Sequence, residues 1–483
     1  MSILINLNSF KKNISLFLKD YVLTNNGFNA RSFYGETFSL ALLSRNNMLN
    51  MAIRLKLYDS FDRIDKDDSQ FHWEFNNYAL LDYIEHSKDK SFNKFLKPLK
   101  FKHSTSTNWT LLRSNTRLKA NKDKVLAIKE AKDKINTYQL ESGLILDDVG
   151  VKSFQYHCFS MAMVAEIYES TQDTYFKDSF LKGVEFIRYF ILSNGDSLYI
   201  GRGQNQSFGY GTLIYILAMA YSFTKDKTLL GDIYKVSNFL KKYQRENGSF
   251  PLVMNGIEKN IPKVVDMNSD EFVGWYAYNN YFDYLPFMGF FIAKAYKILE
   301  TIDTSFIEYK DSIGYKDENF RKIVKCNYEA IISKTGGYWT NDISIPYIVT
   351  KSGRNITPIY GGEQFEDSLY TLEGIPLPYC NSLGKSIRWR SKSYLMDNIL
   401  LIISPLGIMK REYIFDEEYI DIKTSIISPF NFKHIYLLLH KNQNVIDNIN
   451  DLEYEGYEYS TNGKLKKYID RNRVSKIRIL IES

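Results

Sequence analysis

The feature that most constrains this chain is a recurrence with a period of just over fifty residues. Three glycine-bearing segments, "ESGLILDDVG", "SNGDSLYIGRG" and "ENGSF", place Gly143, Gly195 and Gly248 52 and 53 residues apart. Around them run "HCFSMAMVAEIYES" (157–170), "YFKDSFLKGVEFIRYFIL" (175–192), "GTLIYILAMAYSF" (211–223) and "LLGDIYKVSNFLKKY" (229–243), with apolar residues three and four apart. That spacing is one face of an α-helix. Each unit therefore reads as a glycine turn, a short extended stretch, a helix, a polar turn and a second helix. A helical hairpin cannot bury its apolar face alone and must stack on its neighbours. A closed ring, the α/α toroid with inner helices lining a cleft at one end, meets that need; an open solenoid is the other solution.

The helix openings repeat as well. Ser-Phe-x-Tyr occurs at Ser153 to Tyr156 and again at Ser207 to Tyr210, 54 residues on, and only the first copy is followed by a histidine, His157. Aromatic and polar residues also open "FYGETFSLALL" (33–43), "FHWEFNNYALL" (71–81), "STNWTLLRSNTRL" (106–118) and "GWYAYNNYFDYLPFMGFF" (274–291), and "ETFSLALLSRNNMLNMAIRL" (36–55) reads as one long helix. In a toroid such openings converge on one rim. Aromatics make up 15% of the chain, with 37 tyrosines, and a ring with a polar tip suits a carbohydrate surface.

Past about residue 305 the pattern changes. "KDENFRKIVKCNYEAIIS" (316–333) reads as a connecting helix, and beyond it "GGYWTNDISIPYIVT", "SIRWRSKSYLM", "NILLIIS", "KHIYLLLH" and "VSKIRILIES" alternate as strands between Gly- and Asn-containing turns. The expected organisation is a toroid over 1–305 carrying the cleft, a connecting helix over 306–335 and an antiparallel β-sandwich over 336–483.

The net charge of +6 is too small to argue for nucleic acid and is compatible with an acidic ligand. Three well-separated cysteines, Cys158, Cys326 and Cys380, match no disulfide or metal pattern, and no cofactor is expected. Lys11 and Lys12 interrupt the first apolar stretch, so neither a signal peptide nor a membrane span is expected. The expected location is cytoplasmic, or exported if a leader has been removed.

"RGQNQSFGYGTLIYILAMA" and "SFQYHCFSMAMVAEI" resemble the Arg-Gly…Tyr-His helix opening of toroid polysaccharide lyases, the alginate lyase and heparinase-like enzymes. The resemblance implies a toroid joined to a β-sandwich. It also implies β-elimination next to a uronic acid: one group neutralises the carboxylate, a base removes the neighbouring proton, and an acid protonates the leaving oxygen. Two registers fit. In one, Asn108 neutralises and Tyr156 with His157 moves the protons, Trp109 standing where the family often has histidine. In the other, His157 is the base, Arg202 binds the carboxylate and Tyr210 is the acid. Trp109, Arg113, Gln206, Trp275, Asn280, Tyr281 and Tyr284 are the expected sugar-binding residues. Arg117, Lys152, Arg388 and Arg390 add positive charge for an acidic polysaccharide. Two rival readings stand beside the lyase. One is a toroid glycoside hydrolase using Asp148 and Asp196 as a carboxylate pair. The other is a non-catalytic glycan-binding or assembly factor.

Overall fold

The computed structural model describes residues 3–25, 27–28, 33–65, 72–99, 104–201, 205–252, 254, 281–302, 307–334, 347–357, 379–380, 385–387, 389–432, 434–440, 445–447, 450–454, 465–470 and 472–481. Its helices are α1 (Ile3–Asn25), α2 (Gly35–Arg45), α3 (Met51–Asp65), α4 (Trp73–Ser87), α5 (Thr107–Lys119), α6 (Lys124–Tyr138), α7 (Phe154–Thr171), α8 (Thr174–Arg188), α9 (Ser207–Thr224), α10 (Thr228–Lys241) and α11 (Tyr281–Leu299). Six of them form an inner ring in which each packs on the next: α2, α4, α5, α7, α9, α11 and back to α2. The others lie outside, and α1 meets α10 to complete the outer layer. The sequences reflect these places. In α9 every residue from Ser207 to Tyr221 is buried, whereas α8 buries one stripe through Phe176, Phe180, Val184 and Ile187.

The glycine turns carry the repeat. Gly143, Gly195 and Gly248 have φ of +100°, +90° and +85°, a region that side chains rarely adopt. A Cβ at Gly143 would meet the carbonyl oxygen of Lys182 on α8 at 2.3 Å, and one at Gly195 the carbonyl oxygen of Lys235 on α10 at 2.2 Å. At Gly248 the neighbour is Asn13 of α1, at 2.8 Å. Each turn thus seats on the outer helix of the next hairpin, and the last seats on the first helix of the chain. A second repeating bond ties the inner openings together. The amides of Thr107, Phe154 and Ser207, first residues of α5, α7 and α9, donate to the carbonyls of Asp147, Ile200 and Leu252 in the turn that follows. The ring is closed on this rim by Asp283 of α11, whose carboxylate accepts the amides of Phe33, Tyr34 and Gly35 at the opening of α2. A carboxylate at a helix N-terminus satisfies orphan amides and complements the dipole.

Two expectations are corrected here. The stretch 36–55 is two helices, because the chain breaks at 46–50, where Asn47 has φ +54° and Asn46 donates to the carbonyl of Lys11 and the hydroxyl of Ser15 on α1. Residues 316–333 form no connecting helix. They hold β1 (Tyr315–Lys316), β2 (Phe320–Val324) and β3 (Tyr328–Ser333), which pair antiparallel and are joined by β4 (Tyr347–Thr350) in a four-stranded sheet. β-Branched residues at Ile323, Val324, Ile331 and Ile332 and the Cys326-Asn327 turn favour this hairpin over a helix.

The remaining strands are antiparallel. β7 (Lys392–Met396), β8 (Ile399–Ser404), β9 (Gly407–Phe415), β10 (Tyr419–Ile427), β15 (Val474–Leu480) and β12 (Val445–Asp447) form a six-stranded sheet in that spatial order. β11 (His434–His440), β14 (Leu465–Asp470) and β13 (Asn450–Tyr454) form a three-stranded one, and β5 (Tyr379–Cys380) pairs with β6 (Lys385–Ser386). Alternation is clear in β9, where Met409, Arg411 and Tyr413 point inward and Ile408 and Lys410 outward. The four-stranded sheet packs on the toroid through Phe320, whose ring lies 5.3–6.0 Å from those of Phe154, Phe186 and Phe190. Among the described residues no helix is long and apolar enough to cross a membrane.

Candidate active site

The openings of the inner helices meet at one end of the ring. Tyr34, beside α2, stacks on Phe75 of α4 at 4.7 Å. His72, the residue that opens α4, lies 5.7 Å from Tyr34 and 5.1 Å from Trp109 of α5, ring centre to ring centre. Tyr156 of α7 lies 5.5 Å from Phe208 of α9, which in turn is 4.7 Å from Tyr284 of α11. Phe287 packs against Phe159 and Phe208 beneath them. Burial, then the charges of Asp283 and Tyr156, push the Tyr34 hydroxyl well above the usual phenol range, so it stays a neutral donor. Tyr156 and Tyr34 are therefore electrostatic neighbours, and α2, α4, α5, α7, α9 and α11 all contribute to one largely buried aromatic cluster, of which Trp109 is the partly exposed member.

Several expected site residues belong to it. Tyr156, Trp109 and Tyr284 are on the rim. Asn108 stands at the opening of α5, almost fully buried; its Nδ2 donates to Asp147 at 2.7 Å, while its Oδ1 has no hydrogen-bond partner among the described residues. Gln206 opens α9, buried, and accepts from Gln155 of α7 at 3.2 Å. Arg202, Trp275, Asn280, the side chain of Tyr281 and Arg388 lie outside the described residues.

His157 does not reach the rim. It is fully buried, its Nδ1 accepts the amide of Ile145 at 3.1 Å, and its Nε2 donates to the carbonyl of Gly183 on α8 at 2.9 Å. Burial, only partly opposed by the Gly183 carbonyl, lowers its pKa to about 4. It is a neutral histidine bolting an inner helix to an outer one, with both nitrogens engaged. Tyr210 is likewise interior: its hydroxyl donates to Asp196 at 3.0 Å. Among the described residues, both registers thus lose His157 from the rim, and the second loses Tyr210 as well.

The reason is a slip of one residue. Ser-Phe-x-Tyr recurs at 54, but the equivalent amides of Phe154 and Ser207 are 53 apart. His157 therefore corresponds to Tyr210, and both face the glycine turn in front of them. One residue rotates a side chain by about 100° on a helix, enough to exchange rim for core. The histidine that does reach the rim, His72, stood in "FHWEFNNYALL" without being singled out. The signal for it was the imidazole missing after Asn108, a place that His72 supplies from the neighbouring helix against Trp109.

The expected cations are also corrected. Arg113 and Arg117 are buried against Glu130 of the outer helix α6, at 3.2 and 2.5 Å. Lys152 is buried and donates to the carbonyl of Lys334. Arg390 is exposed at a turn, over Trp389. The carboxylates of the hydrolase reading hold turns: Asp148 accepts from Thr105 and Val149, and Asp196, buried, from Tyr210, Asn205 and Tyr347.

Heparinase III superimposes with a TM-score of 0.58 at 8% identity, covering 97% of this chain and 84% of its own. The chondroitin AC lyase of Streptomyces coelicolor A3, solved with chondroitin sulphate, gives 0.56 at 9% identity, covering 98% and 80%. The fold is that of the toroid polysaccharide lyases. No family model matches the sequence, and no curated protein is similar enough to count as a relative.

Proposed function

We propose that the chain is a polysaccharide lyase that cleaves a uronate-containing glycan by β-elimination at the aromatic rim. The observation that carries this reading is that His72 and Tyr156 both neighbour Tyr34, with Trp109 against His72, on a fold shared with heparinase III and chondroitin AC lyase. Trp109, partly exposed, offers a face on which a sugar ring stacks. Asn108 marks the N-terminus of α5, where a carboxylate is favoured, and the helix dipole there helps to hold the negative charge that develops on the uronate. His72 removes the proton from the carbon beside the carboxylate. The electron pair forms the new double bond, the glycosidic C–O bond breaks, and Tyr156 protonates the leaving oxygen.

The test is incubation with a panel of uronate polymers. A lyase yields products with new ultraviolet absorbance from a double bond conjugated to the carboxylate. Products with ordinary reducing ends and no such absorbance would make the protein a hydrolase. No product at all, with retained binding, would make it a glycan-binding factor.

A further inference from the structure

We propose that the four-stranded sheet sets the geometry of the rim, and that Tyr347 on β4 is a positioning residue for the openings of α9 and α7. The role of the rim in catalysis rests on the lyase reading; the tether itself does not.

The Tyr347 ring lies flat on Tyr199, 4.3 Å away with an interplanar angle of 4°, and its hydroxyl donates to Oδ2 of Asp196 at 2.7 Å. The other oxygen of Asp196 accepts from Tyr210 of α9 at 3.0 Å and from Asn205 at 3.1 Å. Asn205 has φ +53° and is tied by its amide to Leu198 and by its carbonyl to Met254. It immediately precedes Gln206, which is bonded to Gln155 of α7. One buried carboxylate is thus gripped by a strand, by an inner helix and by the residue that leads into that helix. The same turn is held a second time, since Ser193 donates its amide and hydroxyl to Glu329 on β3. Just after β3, the Lys334 carbonyl accepts from Lys152, next to Ser153, the cap of α7.

Phe320 supplies the apolar docking of the sheet, so the Tyr347 hydroxyl adds little buried area. What it adds is direction, because a buried hydrogen bond to a carboxylate fixes orientation. The side chains downstream of the two held turns are Phe208 and Tyr156.

The experiment compares the full chain with Tyr347→Phe, which keeps the stacked ring, and Asp196→Asn. Two readouts are taken: kcat and KM on the uronate polymer that the wild type cleaves, and hydrogen exchange of the amides at 205–209. The expected result is a kcat lower by about tenfold with KM within about twofold. Exchange at 205–209 should be faster by about tenfold, while α2 and α4 keep their protection. Unchanged kcat with unchanged exchange at 205–209 overturns the proposal. So does exchange that quickens equally throughout the toroid, which is general loosening. If the wild type cleaves no uronate polymer, the lyase reading fails and exchange alone decides the tether. If Tyr347→Phe does not fold, Ser193→Ala, which removes the hydroxyl bond from the same turn to Glu329 and leaves the amide bond, takes its place, with exchange at 205–209 expected to quicken in the same direction.

Discussion

His157 is set by what faces its nitrogens. His157 has an amide on one side and a carbonyl on the other, both backbone, and is fully buried. Its folded pKa of about 4 lies below the 6.5 of the unfolded chain. Between those values the unfolded state binds the extra proton, so stability is complete above pH 6.5 and falls as pH drops towards 4. The loss is about 3 kcal/mol. His157→Gln should flatten the thermal midpoint against pH across that window, and a profile as steep as the wild type's would show that another group is responsible. At neutral pH the variant should retain wild-type turnover per folded molecule. His72→Ala and Tyr156→Phe should each lose about 10²–10⁴-fold in kcat, if each moves a proton in the transition state. Full activity in His72→Ala would remove the imidazole from the mechanism. That the helix openings gather at one end of the ring was legible in the sequence; which residue of each faces inward was not. A motif match fixes letters, while helix phase is fixed by where the first amide bonds, and that partner lies 46 residues away for Phe154.

Among the elements, the glycine turns were the most legible part. Their period named the hairpin, and their contacts show why glycine is needed. Gly195→Ala would place a methyl 2.2 Å from the Lys235 carbonyl in a conformation alanine resists. The expected cost is about 2–4 kcal/mol, from strain and overpacking together, read as a lower midpoint in urea unfolding with unchanged slope. Gly150→Ala is the comparison, since it has φ +70° but nothing within 4 Å; it should cost only the backbone term, about 1–2 kcal/mol. Equal losses at the two sites would mean that seating on the next outer helix is unimportant. The misread element, 316–333, shows the converse. Short apolar runs carry no period long enough to separate helix from strand, and what settles this one is β4, lying beyond residues 335–346 in sequence, pairing with β3.

For the whole molecule, ring closure depends on contacts that no local pattern announces, and the most concentrated of these is Glu166 of α7. Deep in the inner ring, its carboxylate accepts from Tyr78 of α4 at 2.7 Å, Asn115 of α5 at 2.7 Å and Tyr215 of α9 at 3.1 Å. It pairs with Lys294 of α11 and with Lys119 of α5, the latter at 3.2 Å. Four inner helices are thereby drawn onto the fifth. Burial alone would raise the Glu166 pKa, but the two lysines outweigh it and hold the carboxyl well below its usual range. Lys294 shows the opposite balance, its pKa lowered by burial despite Glu166. Glu166→Gln keeps the shape and removes the charge that compensates two ammonium groups. Breaking a buried pair from one side costs about 3–5 kcal/mol, so this variant should unfold at markedly lower denaturant. Replacing both partners, Glu166→Gln with Lys294→Met, should recover part of that loss, because the uncompensated charge leaves with Lys294. Additive losses in the double variant would mean the node is packed rather than paired. Because the node lies toward the C-terminal ends of the inner helices and the rim at their openings, turnover per folded molecule should match wild type in both variants.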